Sequence, residues 1–375
     1  ALDYEFWSES GASGWSYAEV LPYFKRMESW HDRGHGGEQS WRGSTGPLHI
    51  SRGTRKNPLT KAFVEAGHQA GYPLTADYNG AQQEGFGPFD ATIWNGRRWS
   101  AATAYLRPAL KRNNCHLIHG LAERVIIENG RAIGIRILRG KKSESIFANK
   151  EVILSAGSIG SPKILELSGI GNPKILSNLG INTLVESNNV GENLQDHLQL
   201  RVIYRLENAK TLNQKANSLL GKIAIGLEYA LKRSGPMSMA PSQLGVFAMS
   251  DTSFETPNLQ FHVQPLSLDK FGDPLHSFPG LTASVCNLNP HSRGKVHITS
   301  KDYKIAPSID PNYLSEEKDK IVAAQSIKLA RKINGSLHHG RCCWKKNVRI
   351  ELPLPCHGRD TVSYTHLTLP TILLV

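Results

Sequence analysis

The spacing of apolar and polar positions changes several times along the chain, and each change marks an element. Val152-Ile153-Leu154 is an unbroken apolar run of the kind that forms a short strand buried on both faces. Ala156, Gly157 and Ser158 follow, small enough for a ligand to come close to the backbone. Ser161 is then a good helix cap and Pro162 suits a first helical position; Ile164, Leu165 and Leu167 supply apolar surface, and Gly169 is a stop signal. Strand, glycine turn and helix start, in that order, leave free N–H groups that favour an anion such as phosphate.

The same reading runs along the rest of the chain. Ser16 is expected to cap a short helix with Val20, Leu21, Tyr23 and Phe24 toward the core. Residues 31–47 read as a polar, glycine-rich loop. His31 and His35 stand four apart within it, but the surrounding glycines argue against a helix that would hold both on one face, so a loop is favoured over a metal site. Residues 48–51 alternate like a strand, and residues 58–70 place Leu59, Ala62, Phe63 and Ala66 on one helical face. Asn95-Gly96 signals a hairpin, and Ser100 is placed to cap a helix that includes Tyr105 and Leu106. Residues 116–118 and 124–127 are strand-like, and Asn129-Gly130 turns the chain into a further strand over 132–138.

The composition shifts from Arg201 onward. Residues 202–206 alternate, and 218–232 predict a helix with Leu219, Ile223, Leu227 and Leu231 on one stripe. Residues 259–266 alternate as a strand with Gln260, His262 and Gln264 facing one way, and a polar sheet face ordinarily meets solvent. Segments 161–169 and 172–180 echo each other, which shared capping chemistry explains without a repeat.

With 375 residues the chain can bury a sizeable core and hold two domains. No apolar run reaches the roughly 18 residues of a membrane span, and ALDYEFWSES lacks the basic and apolar regions of a secretory signal. The first residue is not Met, which suggests a start inside a longer reading frame. The formal charge of +12 raises nucleic acid or an anionic membrane as partners. The basic residues are scattered, however, with no basic helix and no aromatic-interleaved patch, so nucleic-acid binding is not expected. The five cysteines form no CxxC pair, and Cys115 and Cys286 read as reduced core thiols. A cytoplasmic location, extending to the inner face of the membrane, is the expectation.

The order of certain residues says more than their periodicity. Gly157-Ser158, Ser161-Pro162, Ile164-Leu165 and Ser168-Gly169-Ile170-Gly171 stand at the spacings of the second signature of the glucose-methanol-choline (GMC) flavin oxidoreductases. Val190-Gly191-Glu192-Asn193-Leu194-Gln195-Asp196-His197 resembles the segment that follows it there. From residue 1 to about 333 the chain resembles this family, closest to its bacterial choline dehydrogenase-like alcohol dehydrogenases.

That resemblance implies an α/β plus α+β protein, in which an incomplete FAD-binding, Rossmann-like domain accompanies a substrate domain built on an antiparallel sheet. The implied division is 1–200 for the FAD domain with its inserted hairpin and cap segments, 201–333 for the substrate domain, and 334–375 for an out-of-family tail, frameshifted or disordered. FAD is the implied cofactor, with Val125 (by its backbone), Ala156, Gly157, Ser158, Asn193, Asp196 and His197 on its side. His262 and Gln264 are the implied substrate-binding residues, His262 matching a histidine of the family's active-site cavity. The implied reaction is oxidation of a primary alcohol, choline-like or aliphatic, to the aldehyde by hydride transfer to flavin N5. The implied partners are a small-molecule alcohol and an unidentified electron acceptor, with a peripheral membrane contact allowed and no transmembrane segment.

Two expected pieces are missing from the residue string. No GxGxxG follows a strand near the start, with an acidic residue about 20 positions on. No His-Pro-Val-Gly segment carrying a catalytic histidine follows Asn334, and Thr365-His366-Leu367 lacks its context. His338, His339, Cys342, Cys343 and His357 lack a zinc-binding frame, so no metal site is expected. The expectation is therefore that FAD belongs to the full-length parent, and that this chain alone binds it weakly or not at all and turns over no alcohol. The competing class is a truncated homologue with a structural or binding role. A nicotinamide-dependent dehydrogenase is disfavoured, because the glycine motif is absent while the flavin-family signature is present.

Overall fold

The computed structural model describes residues 1–32, 39–53, 57–206, 209–269, 272–335 and 349–351. Their contacts divide them into two units that cut across the sequence-order partition. Residues 1–115, 199–288 and those from 322 onward form the first; 116–198 and 289–321 form the second. The composition shift at Arg201 thus falls at a unit boundary, while the first 115 residues join the segment that follows it.

The first unit is built on a six-stranded antiparallel sheet. In spatial order its strands are Arg349–Glu351, Gln199–Arg205, Gly280–Asn287, Leu259–Gln264, Leu244–Ala248 and Gly85–Pro88. Alternation gives it two unlike faces. One carries Leu200, Val202, Leu244, Val246, Phe261, Val263, Leu281, Ala283 and Val285, all buried, and Phe86 of the edge strand packs on Phe63 of the helix Pro58–Gln69. That helix forms as its apolar face predicts. Asn57 caps it by accepting from the Leu59 amide, and Pro58 takes the first position, where its missing N–H costs nothing. Gly67 has no alternative here, since a Cβ would stand 2.3 Å from the Phe86 ring.

Beside this sheet, in sequence, a second one pairs Glu28–His31 in parallel with Leu48–Arg52, which pairs antiparallel with Asp90–Ala91. It holds a buried charge cluster. Arg42 bonds Glu28, Asp77 and Asp90 at 2.8–2.9 Å, and Arg52 reaches Asp90 at 3.3 Å, with both guanidinium groups over the Trp30 ring. Burial pulls the Arg42 guanidinium down, but the Glu28 bond and the charges of Asp90, Glu28 and Asp77 outweigh it and hold the group above its ordinary range.

The second unit starts with an antiparallel meander, Leu121–Glu128, Arg131–Arg139 and Lys142–Phe147. Asn129 and Gly130 turn its first corner with φ of 49° and 74°, which the residue pair at that position predicts. The helix Gly157–Leu167 packs on it through a core of Val125, Leu154, Ile164 and Leu165. The helix Pro173–Asn178 adds Leu176 to a second cluster with Leu167 and Ile298.

Several expectations are corrected. Residues 152–154 are extended but form no strand, only a bridge at Leu154, and Ile153 is 58% exposed. A strand exists through its ladder, and among the described residues none runs along this segment. The helix after it begins at Gly157, so Pro162 lies inside it and Ser161 does not cap it; the Ser161 hydroxyl instead accepts from the Ala156 amide at 3.1 Å. Residues 116–118 form no strand, and Leu117 and Ile118 are half-exposed. Tyr23 and Phe24 face out from the helix Tyr17–Met27, which starts after Ser16 as expected; there the Ser16 amide and hydroxyl donate to the Glu19 carboxylate at 3.0 and 2.6 Å. His31 ends a strand instead of starting a loop, and its ring stacks on Trp94 at 3.9 Å and bonds His49 at 2.9 Å. His35, Cys342, Cys343, Cys356 and the histidines after Asn334 lie outside the described residues.

Candidate active site

Of the residues singled out in the sequence, His262 and Gln264 lie on the first unit and the others on the second. Each set is built by its own elements.

On the first unit, the second face of the large sheet is polar. Cross-strand register places Gly87, Gly245, His262, Ser284 and Arg201 opposite one another along one rung. Gln264 faces Thr282 on the next rung, and Gln260 faces Phe247 and Cys286 on the other side. A solvent-facing polar sheet would leave these groups wet. Instead His262 is 8% exposed and Gln264 5%, with Thr282 and Ser284 fully buried. Burying so many polar groups on one face costs stability unless they are hydrogen-bonded, as Thr282 is by donating to the Leu266 carbonyl at 2.8 Å. Gln264 donates to the Ser242 hydroxyl at 3.1 Å, while its Oε1 is buried with no hydrogen-bond partner among the described residues.

Aromatic rings line the same face. Phe89 lies 5.2 Å from the His262 ring and 5.7 Å from Tyr78, which stands 4.8 Å from Phe247. The Tyr78 hydroxyl rests against the carbonyls of Gly87, at 2.7 Å, and Gly245. Phe89 can approach this closely only because residue 245 has no side chain; a Cβ there would sit 2.3 Å from its ring. None of these ring positions was foreseen from the sequence, where Tyr78, Phe89 and Gly245 belong to unrelated segments.

Behind the His262 strand, Ser267, His276 and Asp269 are joined in a hydroxyl–imidazole–carboxylate chain with both contacts at 3.0 Å. The order resembles a hydrolase triad. Ser267 is fully buried, however, and its hydroxyl also receives a bond from Asn213 Nδ2 at 3.0 Å, so no substrate carbonyl can reach it. Asn213, which also accepts from the Ser267 amide at 2.9 Å, makes this a brace for the connection that leaves Gln264.

On the second unit the helix start at Gly157 is open. Gly157 has φ of 80° and nothing within 4 Å of a Cβ position, Ala156 is exposed, and the Ser158 hydroxyl has no partner among the described residues. Val125 is buried in the meander, where its amide donates to Ser168 Oγ at 2.8 Å and that hydroxyl donates to the Ile164 carbonyl at 2.5 Å. The meander and helix therefore share one hydroxyl as their tie. Asn193 is exposed in the left-handed region, φ 61°, and lines a cavity of about 480 Å³ with Glu192, Arg293, Lys295, Asp310 and Asn312. The Asp196 carboxylate is engaged within the protein, accepting from the His197 amide at 2.9 Å and from the Tyr313 hydroxyl.

A further group went unforeseen. Glu166 is fully buried and accepts from His297 Nδ1 at 2.7 Å and from the Ile298 amide at 2.8 Å, while His297 Nε2 meets Glu192 at 2.9 Å. The one signal for it was a carboxylate set among the leucines of the helix, with its partner 131 residues away. It fixes the helix and the Gly191–Asn193 turn to the strand Lys295–His297.

This second unit fits one side of a dinucleotide. A helix start with the buried Ser158 hydroxyl unpartnered among the described residues suits a phosphate or a ring edge, and the Glu166–His297 bond pins the other end of the same helix.

A family model described as GMC oxidoreductase, N-terminal part, matches residues 1–199, and the corresponding C-terminal part matches 290–361. The chain belongs to the GMC oxidoreductase family. The C-terminal match runs past residue 334, to residue 361. Arg349–Glu351, within the matched stretch, pairs with Gln199–Arg205 at the sheet edge. The chain is 45% identical over 335 residues to the oxygen-dependent choline dehydrogenase of Brucella anthropi, covering 89% of this chain and 60% of that one. It is 43% identical over 338 residues to that of Rhizobium etli. It therefore spans about 60% of the length of these relatives. Among solved structures, pyridoxine 4-oxidase from Mesorbium loti superposes with a TM-score of 0.76 at 25% identity, over 95% of this chain and 65% of the other. A formate oxidase variant of Aspergillus oryzae gives 0.79 at 22%, over 91% and 69%, which bears on the fold alone. The architecture is thus that of GMC oxidoreductases, mixed helix and antiparallel sheet, and the cofactor indicated by this family is FAD.

Proposed function

We propose that this chain is the substrate-side portion, with part of the flavin side, of an FAD-dependent enzyme that oxidises a primary alcohol of the choline class to the aldehyde. The observation that carries this is the buried polar face of the large sheet, where His262 and Gln264 sit side by side and the Gln264 oxygen has no hydrogen-bond partner among the described residues. Bound FAD would take up the hydride from the α-carbon of the alcohol.

The residues here bind and orient. His262 is placed to hydrogen-bond a substrate hydroxyl and to stabilise it as the proton leaves. Gln264 Oε1 accepts from a donor on the ligand, and its amide is fixed by Ser242. The rings of Phe89, Tyr78 and Phe247 give the face an aromatic wall of the kind that attracts a trimethylammonium group. Ala156, Gly157 and Ser158 are the residues on the second unit that would hold the cofactor, with Val125 and Asn193 beside them in that role. The 375 residues contain no GxGxxG and no His-Pro-Val-Gly segment, so this stretch alone is expected to turn over no alcohol.

The test uses the full-length enzyme carrying this stretch. Choline should be oxidised with a higher kcat/KM than n-butanol, and His262→Ala should lower kcat/KM by about 10²-fold with the flavin spectrum unchanged. A preference for the aliphatic alcohol would remove the choline class. A wild-type rate in His262→Ala would remove the assignment of this face.

A further inference from the structure

Two rings of the buried polar face are anchored through one guanidinium. Tyr78 follows Asp77 in the chain, and Phe89 precedes Asp90. Both carboxylates accept from the same nitrogen, Arg42 Nη1, at 2.8 Å for Asp77 and 2.9 Å for Asp90. Glu28 closes the other edge of the group, accepting from Nε at 2.9 Å and from Nη2 at 3.1 Å. Glu28 is itself held by the Gly43 amide at 2.8 Å. Bonded on both edges, the planar fork of Arg42 has no other orientation open to it.

What this cluster supplies is geometry more than stability. Glu28, Asp77, Asp90, Arg42 and Arg52 carry three negative charges against two positive ones, and none of their side chains is more than 12% exposed. The desolvation of such groups offsets most of their attraction, so a buried ion cluster is weak evidence of stability. Its directional bonds still fix distances. Without the cation, Asp77 and Asp90 would repel each other, and the segments that carry Tyr78 and Phe89 would part. Those rings stand 5.7 Å apart, and Phe89 lies 5.2 Å from the His262 ring. The Tyr78 hydroxyl fixes the tip of its ring at the Gly87 and Gly245 carbonyls, while Asp77 places the backbone end. Phe89 has no polar tip. Its place is set by its amide on the Gln243 carbonyl at 3.0 Å and by Asp90 beside it, which also accepts from Trp30 Nε1 at 3.0 Å.

We infer that Arg42 is a positioning residue for the substrate face: by holding Asp77 and Asp90 together, it sets the spacing of the Tyr78 and Phe89 rings and thereby the affinity for the bulky end of the alcohol. The inference rests on the alcohol-oxidising reading of this face.

The experiment is steady-state kinetics of the full-length flavoenzyme carrying this stretch, with choline and with ethanol, which has no bulky end for the rings to hold. Arg42→Gln should raise the KM for choline about tenfold and leave kcat within about twofold, because binding shared by ground and transition states appears in KM. Asp77→Asn keeps the shape of its side chain and leaves Asp90 on Arg42, so a smaller rise is expected; it carries the test where Arg42→Gln loses its flavin spectrum. In both variants kcat/KM for ethanol should stay within about twofold of the parent, which a general loss of structure would not spare. The Kd of tetramethylammonium, which cannot be oxidised, should rise with the choline KM in isothermal titration calorimetry. On a Phe89→Ala background, Arg42→Gln should raise the choline KM by a smaller factor than in the parent, since part of what it positions is gone. An unchanged choline KM in the folded variants, an equal loss on ethanol, full additivity with Phe89→Ala, or loss of flavin from both variants would each overturn the inference. His262→Ala measured alongside separates the two failures. A wild-type rate there removes the reading of the face and this inference with it; a lowered rate there, with choline KM unchanged in the Arg42 and Asp77 variants, removes this inference alone.

Discussion

Ser168 shows how much one hydroxyl can carry. It accepts the Val125 amide from the meander and donates to the Ile164 carbonyl of the helix, in a position 5% exposed. Replacing it with alanine leaves a buried N–H without a partner, and Ser168→Ala is expected to cost about 1–3 kcal/mol in urea unfolding. Arg42 is a larger case. Arg42→Met would leave Glu28, Asp77 and Asp90 buried around an uncharged side chain, and a loss of about 3–5 kcal/mol is expected. Asp319 gives a pH signature. Burial pushes its carboxyl up, but the Ser292 hydroxyl and the amides of His291 and Ser292, at 2.5–2.8 Å, outweigh burial and hold it below its ordinary value. A depressed carboxyl contributes stability above its unfolded pKa of about 3.9 and loses it as pH falls through the lower, folded value. Asp319→Asn should therefore be less stable than the parent at pH 7, by about 2 kcal/mol, and the two urea midpoints should converge below pH 4.

At the scale of elements, the sequence was legible where local chemistry decides the outcome. Asn57-Pro58 starts a helix, Asn95-Gly96 and Asn129-Gly130 turn hairpins with positive φ, and Gly169 with φ of 80° follows the helix Gly157–Leu167. It was misleading where the outcome depends on a neighbour. Residues 152–154 have a strand's composition and no ladder. Leu219–Lys232 has a core helix's stripe and no core against it. The start of the Gly157–Leu167 helix was placed too late, because Ser161-Pro162 has the form of a cap, and the Ser161 hydroxyl satisfies an amide one turn earlier instead. For the candidate site, the alternation over 259–266 put His262 and Gln264 on one face. What that face meets was invisible, since Phe89 and Tyr78 reach it from far off in sequence and only through the space left by Gly245.

At the scale of the molecule, each unit has its own logic. In the first, an antiparallel sheet divides an apolar core from a buried polar face, the arrangement that a small-molecule site requires. In the second, the meander, the helix and the Lys295–His297 strand are tied by Ser168 and by the Glu166–His297–Glu192 chain. The strand Gly85–Pro88 has a consequence for how such a chain reaches its final state. It is the outermost member of a sheet whose next strand is Leu244–Ala248. During synthesis it emerges before its sheet partner: Phe86 bonds Pro73 and Thr75 on one side, but the side that meets Leu244–Ala248 stays open until Leu244 leaves the ribosome, so its entry into the sheet is among the slow, non-local steps. Until that closure the side of Gly85–Pro88 that will meet Leu244–Ala248 presents open donors and acceptors to any other chain nearby. The same pairing that seals the finished sheet thus sets the interval in which the nascent protein is most exposed to aggregation.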